Sequence, residues 1–179
     1  MKILTVLICL CVLAGCGEKG WISDSRDPQN VIVEESIRYE LKKPYGPITK
    51  ADLKKVKSLH LGSGRLTEIP KGLEKLTQLK KLWLGDNSLT DVKGIEKLTQ
   101  LTHLNLFNNY LTDIKDLEKL DQLTELELNF NKLTDVKGLE KLTELTSLNL
   151  RVNFDLTKAQ IDELQKALPK CKITHDDKK

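Results

Sequence analysis

Few residues of this chain have the types and spacing that enzymatic chemistry requires. It contains three histidines, His60, His103 and His175, and the last of these lies in a charged C-terminal tail. The sequence lacks an HExxH metallopeptidase motif, a GxSxG nucleophile motif, a P-loop and a CxxC pair. It therefore predicts a protein that is not an enzyme and needs no cofactor. His103 with Glu125 and Glu127 could at most offer a metal site, which would need a further convergent ligand.

The N-terminus has the pattern of a targeting segment. Lys2 precedes an apolar stretch over residues 3–13, which is too short for a membrane helix but typical of a signal peptide. The stretch ends in Leu13-Ala14-Gly15-Cys16, which resembles the bacterial lipobox. The resemblance implies cleavage before Cys16, its lipidation, and a lipid-anchored protein of the bacterial cell envelope. Gly17 in place of aspartate implies the outer membrane. The alternative is an ordinary secretory signal with an incidental cysteine.

One cysteine remains outside this segment. Cys9 and Cys11 lie in the apolar stretch and Cys16 would carry lipid, which leaves Cys171 without a partner for an intramolecular disulfide. We expect Cys171 to be a small buried residue near the C-terminus, although a reactive thiol is the alternative.

Composition indicates a single globular domain. The chain has 179 residues, of which 31% are charged and 39% hydrophobic, while aromatics make up 4%, so leucine has to supply most of the core. The net charge of +3 is too small to favour nucleic acid as a partner.

The middle of the chain is an internal repeat. Three ungapped segments of 22 residues (79–100, 101–122 and 123–144) follow a related copy at 56–78 and precede a half copy at 145–156. Their pattern L-x-x-L-x-L-x-x-N-x-L matches the leucine-rich repeat, and the LTD-V/I second half resembles the internalin type. The resemblance implies an α/β fold: a right-handed solenoid with a short parallel β-sheet on its concave face and 3-10 or short helices on the convex side.

The physical chemistry of the repeat agrees with this expectation. Leu82 and Leu84 alternate as strand residues do, whereas Val92, Ile95 and Leu98 are three apart, which suits a 3-10 segment. One repeat alone cannot offset its backbone entropy, so neighbouring coils must stack. An asparagine recurs at one position of the repeat and is expected to point inward, where its side chain would hydrogen-bond the backbone. The first copy has Gly64 at this position. The expected asparagine ladder therefore consists of Asn87, Asn109, Asn131 and Asn153.

Helical caps are expected at both ends of the repeats, because an open solenoid exposes its core there. The domain organisation predicted is a signal peptide (1–15), a lipidated tether (16–27), an N-terminal helical cap (28–55), the repeats (56–156), a C-terminal cap (157–174) and a polar tail (175–179). Pro28 begins the first cap helix, and capping boxes are predicted at Thr49 with Asp52 and at Thr157 with Gln160. Residues 171–173 suggest a last edge strand.

Between the core leucines, outward positions of the predicted strands form columns about 4.8 Å apart. Large aromatics occupy positions that the fold does not need to bury: Trp83, Phe107 and Phe130. They are either binding anchors or covers for neighbouring strands. Charged residues gather nearby as an expected ion-pair patch: His103, Glu125, Glu127 and Arg151. On the opposite side, columns of glutamate and lysine predict a solvated face of mixed charge.

The sequence thus predicts a non-enzymatic module that is anchored to a membrane and binds a protein partner with its concave face. The step from repeat to protein binding rests on analogy between folds. The alternative is a structural envelope lipoprotein that binds peptidoglycan or another glycan through the lysine columns and the aromatics.

Overall fold

A computed structural model describes residues 28–176. The signal peptide, the tether with Cys16 and the end of the tail (177–179) lie outside these residues. The helices are α1 (Pro28–Glu40), α2 (Lys50–Leu53) and α3 (Lys158–Ala167), and the strands are β1 (Ser58–His60), β2 (Lys81–Trp83), β3 (His103–Asn105), β4 (Glu125–Glu127), β5 (Ser147–Asn149) and β6 (Lys172–Thr174). Short 3-10 helices span Leu73–Lys75, Ile95–Lys97, Lys115–Lys119 and Leu139–Lys141.

The strands form one parallel sheet in chain order, β1 to β6. The register aligns equivalent residues of successive copies, so that Leu82 pairs with Leu104 and Leu104 with Leu126. We number the copies coil 1 (56–78), coil 2 (79–100), coil 3 (101–122), coil 4 (123–144) and coil 5 (145–156). The central residue of β1 to β5 is buried, so the first and third side chains point to the outer side, which we call the concave face.

The core is a stack of aliphatic side chains. The ladder predicted for coil 2 is buried throughout: Leu79, Leu82, Leu84, Leu89, Val92, Ile95 and Leu98. Equivalent residues of the other coils join the same cluster, so each coil packs its leucines against the next. The 3-10 spacing inferred for the second half of the repeat is confirmed by the four short 3-10 helices.

The predicted asparagine ladder is present. The side chain of Asn109 reaches back into coil 2, where its Oδ1 accepts from the N–H of Leu89 at 3.0 Å and its Nδ2 donates to the carbonyl of Leu84 at 3.0 Å. Its Nδ2 also donates to Leu106 of its own coil at 3.1 Å. Asn87, Asn131 and Asn153 repeat this pattern. Each asparagine thus satisfies backbone groups of two coils, and Asn87 serves coil 1, which has no asparagine of its own.

The glutamate column on the convex side has a structural role, whereas the sequence predicted only a solvated face of mixed charge. Three glycines precede the 3-10 helices with positive φ angles, and the N–H of each donates to the Oε2 of the glutamate two residues later, in the pairs Gly72–Glu74, Gly94–Glu96 and Gly138–Glu140 at 2.7–2.8 Å. Coil 3 has Asp116 in the glycine position, and its 3-10 helix begins earlier, at Lys115. Glu118 instead pairs with Lys141 of coil 4 at 2.6 Å, which lowers the pKa of Glu118.

Both ends of the solenoid are covered as expected. Helix α1 begins at Pro28 and buries Val33 and Ile37. Ser36 of α1 donates its hydroxyl to the carbonyl of His60 at 2.8 Å and accepts from the His60 N–H at 3.3 Å, which closes the first edge of the sheet. The two predicted capping boxes are confirmed.

At the other end, α3 buries Ile161 and Leu164, and β6 adds the last strand. Cys171 is buried there, and this burial raises the pKa of its thiol. Within residues 28–176, no helix combines the length and the apolar character needed to cross a bilayer.

Candidate binding face

The register places the predicted site residues in adjoining columns of the concave face. His103 lies between Lys81 and Glu125, whereas Trp83 lies between His60 and Asn105. Phe107, Phe130 and Arg151 follow the strands, where each coil turns away from the sheet. All seven predicted residues therefore share one face, but they fall into separate groups.

Phe107 and Phe130 form an aromatic pair at the C-terminal ends of β3 and β4. Their ring centroids are 5.5 Å apart at an interplanar angle of 83°, an edge-to-face contact that aromatic pairs prefer. Gly85, in the same column as Phe107, leaves room for Asn105, because a Cβ built there would lie only 2.8 Å from Oδ1 of Asn105, whereas its distance of 3.5 Å from Cδ1 of Phe107 would be an ordinary contact. Phe130 keeps 47% of its surface exposed, so the pair offers an apolar contact to another molecule.

The backbone at Phe130 adopts an unfavourable conformation for its side chain. Its φ is 58°, and the equivalent residue of every coil is also left-handed: Ser63, Asp86, Asn108 and Val152. Short polar side chains tolerate this region, whereas a bulky or β-branched side chain rarely occupies it. The five residues found there are three short polar ones, Phe130 and the β-branched Val152, so the left-handed backbone belongs to the repeat itself and Phe130 adds an exposed ring to it.

Trp83 belongs to a second aromatic group. Its ring stacks on that of His60 with centroids 4.0 Å apart and planes within 6°. His60 was not among the predicted site residues, although the alignment of the repeats places it beside Trp83 in one column. The three aromatic anchors predicted together are thus a phenylalanine pair and a separate histidine–tryptophan stack.

The expected ion-pair patch forms only in part. Nε2 of His103 lies 3.4 Å from Oε1 of Glu125, and Nδ1 of His103 contacts the Thr102 hydroxyl at 2.8 Å. Glu127 accepts a hydrogen bond from the Asn149 amide at 2.8 Å. Arg151 makes no ion pair with either glutamate among residues 28–176. This departs from the prediction, because Arg151 lies two residues beyond Asn149, which is the residue that pairs with Glu127.

The same described range holds no group of three or more histidine, cysteine, aspartate or glutamate side chains that could bind a metal. His103 and Glu125 point out from neighbouring flat strands, which supply two ligands but no convergent third. The arrangement supports contacts with a partner better than metal chemistry.

A further column, which was not predicted from the sequence and which we call the flank, lies beside the face: Ser88, Tyr110, Lys132 and Phe154. Tyr110 and Phe154 expose 49% and 71% of their surfaces. Nζ of Lys132 lies 4.8 Å from the centroid of the Tyr110 ring, within the range of a cation–π contact. This column follows the ladder asparagine directly, so the same alignment could have revealed it.

Comparison with known proteins agrees with this architecture. Residues 77–119 and 121–166 match a family model described as leucine-rich repeats in two copies. The structure of an internalin, inlF, from Listeria monocytogenes superposes with a TM-score of 0.71 at 30% identity, covering 82% of this chain and 44% of that one. A leucine-rich-repeat protein of Leptospira interrogans gives a TM-score of 0.63 at 34% identity, covering 72% of this chain and 33% of its own.

A second internalin of Listeria monocytogenes, inlC2, has a TM-score of 0.56 at 18% identity and covers 83% of this chain and 96% of its own, which bears on the fold alone. No curated protein sequence matches the chain significantly. The fold is that of a leucine-rich-repeat solenoid. Its structural neighbours include internalin-like repeat proteins of bacteria, and proteins built on this repeat generally act in protein binding.

Proposed function

We propose that this chain is a non-enzymatic, membrane-anchored module that binds a protein partner with its concave face. The observation that carries the proposal is Phe130, which is half exposed, left-handed, and packed on Phe107 at a position where coils 1 to 3 have a short polar residue. Exposed aromatics surrounded by polar side chains are the usual anchors of protein interfaces.

The size of the face supports a small interface. Six strands at about 4.8 Å spacing make it roughly 24 Å wide, and the outward stretch of each coil, such as Glu125 to Phe130, extends it by about 17 Å along the strands. A standard interface covers about 800 Å² on each partner. A partner of that size extends beyond the sheet, and the exposed flank, with Tyr110 and Phe154, supplies further area.

The membrane anchor is the second part of the proposal and rests on the lipobox resemblance at Cys16. Two or more acyl chains hold a protein stably at a membrane, whereas one chain holds it reversibly. Expression of the full chain in a bacterial host should give a membrane-bound protein whose N-terminal peptide carries lipid by mass spectrometry. Cys16→Ser should abolish the lipid and release the protein from the membrane; an unmodified Cys16 in wild type would refute the anchor. Separation of inner from outer membranes then tests the outer-membrane localisation.

The binding face is tested by capture from envelope extract with the detergent-solubilised full chain. Phe107→Ala/Phe130→Ala should lose a partner that the wild type retains. Tyr39→Ala/Tyr45→Ala is the matched control, because these two tyrosines expose 84% and 86% of their surfaces on the N-terminal cap. Trp83→Ala measures the contribution of the second aromatic group.

Circular dichroism must show that each variant keeps its fold. A partner retained by the Phe107/Phe130 variant would contradict the proposed face. Binding of the wild type to purified sacculi, with no protein captured, would favour the glycan-binding alternative.

A further inference from the structure

Coil 4 presents a row of hydrogen-bond acceptors on the concave face. Glu125, Glu127 and Asn129 alternate with the buried Leu126 and Leu128, so their side chains share the outward side. The Glu125 side chain is 58% exposed. The row ends at Phe130, whose ring contacts Phe107.

This row has no cation of its own. Among residues 28–176, no lysine or arginine nitrogen lies within 4.0 Å of a carboxylate oxygen of Glu125 or Glu127. Glu125 has the His103 ring as its neighbour, and Glu127 the Asn149 amide. Coil 4 thus offers more acceptors than the protein uses.

The repeat does not require a glutamate at position 127. In coils 3 and 5 the equivalent residue is an asparagine, and its Oδ1 accepts from the backbone of its own turn: Asn105 from Phe107 at 3.0 Å and Asn149 from Arg151 at 3.2 Å. Glu127 does not make that contact and directs its carboxylate towards Asn149. The negative charge of coil 4 is therefore an addition to the repeat.

We propose that the acceptor row of coil 4 receives an arginine side chain of the protein partner. This proposal rests on the proposed function of the concave face and specifies the chemistry of the partner. A guanidinium group has five donors in a planar fork, which suits two carboxylates on one strand, and its flat face stacks on aromatic rings such as Phe130. A lysine provides the charge but neither the fork nor the plane.

The test uses the detergent-solubilised full chain and a phage library of random twelve-residue peptides. Selection on the wild type should enrich arginine over glutamine, and selection on Glu125→Gln/Glu127→Gln should not. Glu144→Gln/Glu163→Gln is the matched control, since both residues are exposed and lie outside the concave face. A selected peptide is then compared with its analogue in which citrulline replaces arginine.

Two solvent-accessible ion pairs predict that the arginine peptide binds about three to ten times more tightly than the citrulline peptide. The ratio should fall to about one in Glu125→Gln/Glu127→Gln and stay unchanged in the control. Peptides without a preference for arginine, or an equal loss in the control, would overturn the inference. So would the absence of any enrichment on the wild type. If selected peptides depend on Phe107 and Phe130 but not on the glutamates, the proposed function stands and the arginine inference fails.

Discussion

Phe130 provides the sharpest distinction between a residue of the fold and a residue of the binding face. Replacing it with asparagine installs the residue type that the equivalent position of coil 3 has at Asn108. The backbone hydrogen bond from the Phe130 N–H to Arg151 and the left-handed φ of 58° can both persist in the variant. The substitution Phe130→Asn therefore removes the ring without requiring a change in the backbone conformation.

The expected energies nearly cancel. Loss of the edge-to-face contact with Phe107 costs about 0.5–1.5 kcal/mol, and loss of the half-buried ring surface costs about 1 kcal/mol more. Asparagine tolerates the left-handed conformation better than phenylalanine does, so the lower backbone strain stabilises the variant by about 1–2 kcal/mol. We expect Phe130→Asn to change the free energy of unfolding by no more than about 1 kcal/mol while abolishing partner capture.

The free energy of unfolding is measured by urea denaturation of the full chain, with circular dichroism as the readout. Leu128→Ala is the reference for a true core position, since Leu128 is fully buried and such truncations cost about 2–5 kcal/mol. Phe130→Ala should be less stable than Phe130→Asn by about 1 kcal/mol, because alanine lacks the tolerance for positive φ.

Two results would refute the reasoning. A loss of more than 2 kcal/mol in Phe130→Asn would make the ring part of the core. Equal stability of Phe130→Asn and Phe130→Ala would show that backbone strain at this position does not affect the free energy of unfolding.

Two further predictions concern the scaffold that positions the face. Asn109→Ala leaves Leu89 N–H and the carbonyls of Leu84 and Leu106 without their side-chain partner, so we expect a loss of about 3–6 kcal/mol in urea denaturation. Asn108→Gly, in the exposed left-handed position next to it, should stay within about 1 kcal/mol of wild type; an equally small effect of Asn109→Ala would contradict the ladder. The pKa of Asp52 is lowered, mainly through hydrogen bonding to Lys43. Ionised Asp52 therefore stabilises the folded protein fully when the pH is above 3.8, the ordinary pKa of the group, and this stabilisation is lost as the pH falls further. Asp52→Asn should cost about 1 kcal/mol at pH 7 and leave less acid dependence between pH 5 and 2.5, whereas parallel curves for the two proteins would exclude that role.

The scaffold could be predicted from the sequence because each of its features recurs. The leucine ladder repeats in every complete copy and the inward asparagine in every coil after the first, so Asn109 could be assigned from spacing alone. The capping boxes at Thr49 and Thr157 are local patterns that need no tertiary information. These parts depend on backbone periodicity, which the residues of one coil largely determine.

The binding face could be predicted as a set of positions but not as a set of contacts. Alignment places Trp83 beside both His60 and Asn105, and it does not tell which neighbour the indole ring will stack on. Ring orientation depends on side-chain torsions and on the space that neighbouring side chains leave. The prediction that Arg151 joins the acidic patch was wrong for a similar reason. The alignment gives the neighbours of Arg151 in its column, but it does not give the direction of the side chain.

The positions that depart from the repeat converge on one part of the structure. Phe130 replaces the short polar residues of coils 1 to 3, and Glu127 replaces the asparagine found in coils 3 and 5. Phe107 occupies a position that is glycine in coils 1 and 2, at Gly62 and Gly85. Phe130 places a large ring on a left-handed backbone and Glu127 adds a negative charge, and neither side chain belongs to the leucine core. Because a solenoid needs only its repeated positions to fold, the non-repeated residues of coils 3 and 4 are where its binding specificity is to be sought.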